Sequence, residues 1–86
     1  MSQPNISADR VDAAAVRAMV AEALGVDVPG DGSFIGHGGD SFHAVTLIAR
    51  IEEEWGVELD FLAVLDSTPD SLADAVNAAR AARAES

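Results

Sequence analysis

The chain has 86 residues, 49% of them hydrophobic, with no cysteine or lysine and with 15 acidic residues against 5 arginines. That length suits one small domain with limited burial, and a net charge of −10 repels a nucleic-acid backbone and an anionic membrane surface alike. No apolar run reaches membrane-spanning length, and Met1 to Asp12 has neither the basic end nor the apolar core of a signal peptide, so the expectation is a soluble cytoplasmic protein.

Met1 to Ala8 carries Pro4 and Asn5 among small polar residues and reads as a flexible N-terminal tail (1–8), with one ordered domain over 9–84. Ser7 or Asp9 is placed to cap a first helix whose apolar side runs Val16, Val20, Ala23 and Leu24, with Gly25 as its stop. Its alanines give helix propensity but little side-chain area, so this helix depends on close packing. A long loop follows, with Gly25, Gly30, Gly32, Gly36, Gly38 and Gly39 in it. Loops of that length are functional or disordered, and Phe34 and Ile35 argue for function, with at least Phe34 expected to anchor the loop.

The loop ends in Gly38-Gly39-Asp40-Ser41 and opens onto an apolar helix. Ala44, Ile48, Ile51 and Trp55 recur at i, i+4, i+7 and i+11, which predicts a second helix over 41–55 stopped by Gly56. A hydroxyl at Ser41 lies near the positive end of the helix dipole, a setting that favours a phosphate ester on its oxygen. The plainer account is that Ser41 or Asp40 simply caps the helix. The paired glycines open backbone conformations closed to other residues and let another surface approach just before the serine. Phe42, Val45 and Ala49 form a second stripe, rotated away from the Ile48/Ile51 face, although Phe42 taken alone is expected to pack into the core. Glu52, Glu53 and Glu54 crowd the last turn against the dipole, with Arg50 offsetting only part of the cost. These two features suggest a docking face for basic partners, although an acidic surface serves solubility equally well.

Val57, Leu59, Phe61 and Leu62 supply further apolar anchors, and Leu62 to Asp66 suits a short helix. Thr68-Pro69 is a strong start for a last helix with Leu72, Ala75, Val76 and Ala79 on one face and Arg80 and Arg83 towards its end. The predicted fold is all-α: three main helices plus one short helix, with a long first loop.

Catalysis and metal binding find little support. Gly39-Asp40-Ser41-Phe42-His43 approaches the nucleophile elbow of hydrolases, but His43 replaces its second glycine, no strand precedes it, and the chain is too short for the sheet. Asp27, Asp31 and Gly32 touch the calcium-loop pattern, yet Pro29 stands at a ligand position and Gly38 replaces the closing glutamate. His37 and His43 have no third ligand at recognised spacing and read as loop and surface residues.

Asp31, Phe34, Gly38-Gly39-Asp40-Ser41, Ala44, Leu47 and Ile51, followed by Trp55-Gly56-Val57 and Thr68-Pro69, resemble the carrier-protein family over roughly residues 10 to 82. The resemblance implies a four-helix carrier bundle that is not itself an enzyme. It implies that a phosphopantetheinyl transferase moves 4'-phosphopantetheine from coenzyme A onto Ser41, with Asp40 and Gly39 completing the attachment site. The thiol of the arm then holds an acyl or aminoacyl group. The double glycine with Phe34, Ala44 and Leu47 is more like peptidyl carriers of nonribosomal synthesis, whereas Asp40 beside the serine is usual in acyl carriers of polyketide or fatty-acid synthesis. His37 departs from the leucine usual at its place.

The implied partners, beyond the transferase, are an adenylating or acyl-loading enzyme and downstream condensing or tailoring enzymes. They would dock on Phe42, Val45 and Ala49 with Glu52 and Glu53 at the rim. A free-standing monomer is expected, unless the chain is a piece of a longer synthetase. The competing class is an acidic helical adaptor that is never modified.

Overall fold

The computed structural model describes residues 10–85, an all-helical arrangement of four helices and one 3₁₀ turn. The helices are α1 (Ala13–Leu24), α2 (Ser41–Trp55), α3 (Phe61–Leu65) and α4 (Pro69–Glu85). The expected tail over 1–8 lies outside the described residues. No helix among the described residues is long and apolar enough to cross a membrane.

Each helix start is built by a side chain that accepts from the open amides of the first turn. Asp12 caps α1 by accepting from the Ala14 amide at 3.2 Å. This corrects the expectation of Ser7 or Asp9, both outside the described residues: the alanine run before Val16 extends no further upstream than Ala13. Asp60 caps α3 and accepts from the Ala63 amide at 3.2 Å, so the short helix spans 61–65 and not 62–66. At α4, Thr68 Oγ1 accepts from the Ser71 amide at 3.1 Å while Ser71 Oγ accepts from the Thr68 amide at 2.9 Å. That is a reciprocal capping box with serine in the place usually held by glutamate. Pro69 follows as the first helical residue, fully buried; a proline is favoured there because the position has no intrahelical partner for an N–H.

α1, α2 and α4 enclose the core, with α3 packed beside α2. α1 contributes Val16, Met19 and Val20, and α4 contributes Leu72, Ala73 and Val76. The buried line of α2 is Ala44, Leu47 and Ile51, with Ile48 and Trp55 only half-buried at its edge. The apolar face is therefore centred on Leu47, rotated from the predicted Ile48 line, because α1, α3 and α4 all pack against α2 and together decide which of two neighbouring apolar side chains is enclosed. Each such side chain, fully withdrawn from water, contributes about 1.5–3 kcal/mol before entropy is counted.

Polar ties close the bundle where apolar contact ends. The Asn77 side chain on α4 accepts from the Val11 amide at 2.7 Å and donates to the Val11 carbonyl at 3.0 Å, which fixes the strand of chain leading into α1. Arg50 pairs with Glu22 of α1 at 2.8 Å and so does not answer the glutamates of its own helix. Arg80 reaches the Trp55 carbonyl at the end of α2 at 3.4 Å.

The long loop is not a free excursion. The Asp70 amide donates to the Gly30 carbonyl and the Phe34 amide to the Ser67 carbonyl, both at 2.9 Å, so it is stitched to the α3–α4 junction twice. Phe34 is buried, the anchor expected of it, whereas Ile35 is 54% exposed and opens the 3₁₀ turn Ile35–His37. Leu62, expected to be an anchor, is 66% exposed on the outer side of α3.

Candidate functional site

The segment ahead of α2 enters through Gly38, whose φ of +97° is a left-handed conformation that a side chain rarely adopts. The Gly38 amide donates to the Ile35 carbonyl at 3.1 Å, and the Gly39 amide to the Phe34 carbonyl at 2.9 Å. His37, in the place where leucine would be usual, closes the turn with its ring: Nδ1 lies 2.9 Å from the Ser33 carbonyl, and the Cε1 edge covers Gly32.

Asp40 is the residue that caps α2. Its extended backbone and its Oδ1, which accepts from the His43 amide at 3.0 Å, make it the N-cap. His43 Nδ1 also stands 2.9 Å from the same oxygen. The carboxyl is held below the usual aspartate range, first by the His43 amide that it accepts from, against desolvation, the next largest influence, which raises it; the His43 ring beside it and the Phe42 amide lower it further.

Ser41 is the first residue of α2 and is exposed. With Asp40 capping the helix, the serine hydroxyl has no structural task, and it makes no hydrogen bond to another described residue. Among the described residues no base is hydrogen-bonded to it, and the His43 imidazole is turned to Asp40. Such an oxygen is open to an outside reagent but is not activated from within. The residues fit a bulky ester at this point: it would project from an exposed position at the positive end of a 15-residue helix.

Around Ser41 the surface is apolar where a lone domain gains nothing by it. Phe42, expected in the core when taken alone, is instead 74% exposed because the buried line of α2 runs through Ala44 and Leu47; Val45 is 58% exposed, with Ala49, Glu52 and Glu53 also in solvent along the same helix. The structure thus places all five of the suggested docking residues outside the core. Ile35 and Leu62, not singled out from the sequence for this role, are exposed on the flanking 3₁₀ turn and on α3. Within α3 the inward places are taken by Val64, which is buried, and by Phe61 and Leu65, which pack against the core, and this leaves Leu62 outside.

A family model described as the phosphopantetheine attachment site matches residues 14–76. No curated protein sequence matches the chain. The family match spans α1, the loop, α2, α3 and the first half of α4, nearly everything that frames Ser41, and the chain therefore belongs to the phosphopantetheine-binding carrier proteins, whose cofactor is a covalently attached 4'-phosphopantetheine.

Proposed function

We propose that this carrier protein bears its arm on Ser41 and presents aminoacyl groups, as a peptidyl carrier, to the enzymes of nonribosomal peptide synthesis. The observation that carries the reading is the Ser41 hydroxyl itself, exposed at the start of α2 and relieved of capping by Asp40. When attached, the arm supplies a thiol that holds the cargo as a thioester. This chain's own residues do the rest: Asp40 fixes the helix start, Gly38 and Gly39 bring the loop tightly round to it, and Ser41 offers the oxygen. The family's cofactor leaves the unmodified adaptor without support.

The peptidyl assignment draws on the double glycine. Asp40 was the residue that pulled towards acyl carriers, and its work as the cap of α2 accounts for it on grounds that have nothing to do with cargo. Docking by the transferase, by an adenylating enzyme and by condensing enzymes would use the exposed Phe42, Val45 and Ala49 with Glu52 and Glu53 at the rim.

Intact mass tests the attachment. The parent should gain one phosphopantetheine with coenzyme A and a broad-specificity transferase, while Ser41→Asp stays folded by circular dichroism and gains nothing. Uptake of the arm by Ser41→Asp would place the site elsewhere. Cargo is tested by offering the holo protein to adenylating enzymes and to acyltransferases. Exclusive acceptance of malonyl or fatty acyl groups from their physiological loading enzymes would refute the peptidyl reading.

A further inference from the structure

The two glycines before Ser41 are required for different reasons. Gly38 has a φ of +97° and open space where a Cβ would stand, so its need is conformational. Gly39 is not in the left-handed region; its need is room. A Cβ on Gly39 would lie 2.5 Å from Cδ2 and Cε2 of Phe34 and 2.8 Å from Cζ, far inside van der Waals contact.

Phe34 is itself held from both sides. Its ring is 1% exposed, its carbonyl accepts from the Gly39 amide and its amide donates to the Ser67 carbonyl, both at 2.9 Å. Ser67 is buried in the junction just beyond α3, where its hydroxyl donates to the Val64 carbonyl at 2.7 Å. An unbroken series of contacts therefore runs from the α3–α4 junction through Phe34 to Gly39, and only Asp40 separates Gly39 from Ser41. The buried face of α2 locates the helix from Ala44 onward, but Asp40, Ser41 and Phe42 ahead of it are exposed. The segment that enters the helix is what holds these three beyond the reach of the core.

We infer that Phe34 is a positioning residue for the modification of Ser41: its ring sets how closely the Gly39 peptide approaches the core, and so where the Ser41 hydroxyl is held. The inference rests on the reading of Ser41 as the attachment residue. Phe34 also fills core volume, so a loss of stability on changing it would say nothing about this role. The Gly39 contact does discriminate, because bulk added at Gly39 can be matched by bulk removed from Phe34.

The experiment compares the parent, Gly39→Ala, Phe34→Leu and the double variant Phe34→Leu/Gly39→Ala. Arm transfer from coenzyme A by a broad-specificity transferase is followed by intact mass, kcat and KM are resolved separately, and the temperature is kept below every melting transition. Gly39→Ala should lower kcat by about tenfold or more, since a misplacement of about 1 Å at a reacting atom is enough for that. The double variant, with Cε2 and Cζ gone and the remaining δ-methyl able to turn away, should recover most of the loss towards Phe34→Leu alone. A merely structural role predicts no such recovery, because all four proteins are folded under the assay.

Parent-like kcat in Gly39→Ala, or a double variant as slow as Gly39→Ala, overturns the inference. Should Gly39→Ala fail to fold, Phe34→Leu decides: a kcat below the parent's with KM unchanged, in a folded protein, supports it, and a parent-like kcat overturns it. Peptide mapping of the loaded parent keeps the two claims apart. An arm found on a residue other than Ser41 removes the attachment reading and this inference together, whereas an arm on Ser41 with no recovery removes this inference alone.

Discussion

Asp40 and Ser41 are adjacent, and the division of labour between them decides what each substitution does. Because Asp40 accepts the His43 amide, Ser41→Ala should stay within about 0.5 kcal/mol of the parent, as surface changes do, where a capping serine would lose about 0.5–2 kcal/mol. Thermal melting of the two proteins checks this. Asp40 carries the pH dependence. Its carboxyl titrates below the usual aspartate value when folded, chiefly through the His43 amide. A group with a depressed folded pKa stabilises the protein above its unfolded value, about 3.9, and that contribution is lost as pH falls through the lower folded value. Asp40→Asn keeps an acceptor at the cap but not the charge. The parent should therefore melt higher than Asp40→Asn near neutral pH, with the difference closing as the buffer falls below about pH 3.9. A difference independent of pH would mean that the carboxylate charge contributes nothing to the cap.

At the scale of the elements, the stops of α1 and α2 and the start of α4 were legible in the sequence, whereas the start of α1, the bounds of α3 and the face of α2 were less so. Gly25, Gly56 and Thr68-Pro69 marked boundaries that the structure keeps, because stops and caps are local chemistry. The face of α2 was read one position off, since Leu47 and Ile48 are both apolar and only the placing of α1, α3 and α4 decides which one is buried. The contact of Gly39 with the Phe34 ring was out of reach for the same reason: it passes through space and leaves no spacing pattern. The position of Ser41 at the start of a helix was plain, and its freedom from capping was not, because serine and aspartate both cap well. Two predictions belong here. Thr68→Ala removes one arm of the capping box and should cost about 0.5–2 kcal/mol in urea unfolding. Val45→Arg, on the exposed side of α2, should leave the helical signal and midpoint unchanged while impairing loading, because a guanidinium forced into a buried interface costs far more than a lost rim charge. Normal loading by Val45→Arg would remove this face from the docking surface.

Over the whole molecule, charge acts on stability and on docking with opposite sign. Among the described residues, Arg17 pairs with Asp27 at 3.1 Å and Arg50 with Glu22 at 2.8 Å, both largely in solvent. Exposed pairs of this kind contribute about 0–1 kcal/mol each. Against them stands a net charge of −10 on a body with a radius of gyration of 12.9 Å, so mutual repulsion of carboxylates works against the compact state. Between ~0.01 M and ~1 M sodium chloride the screening length falls from about 30 Å to about 3 Å, which takes it from beyond the molecular radius to well within it. Added salt should therefore raise the thermal midpoint of the protein. The same screening would weaken the proposed docking of a basic partner on the Glu52 and Glu53 rim, so the KM for loading should rise over the same range while the carrier itself becomes harder to melt. A carrier whose loading failed at high salt through unfolding would show both quantities worsening together. A midpoint that falls with salt would mean that the Arg17 and Arg50 pairs outweigh the repulsion. A KM indifferent to salt would mean that docking rests on the Phe42 and Val45 surface alone, with the acidic rim serving solubility.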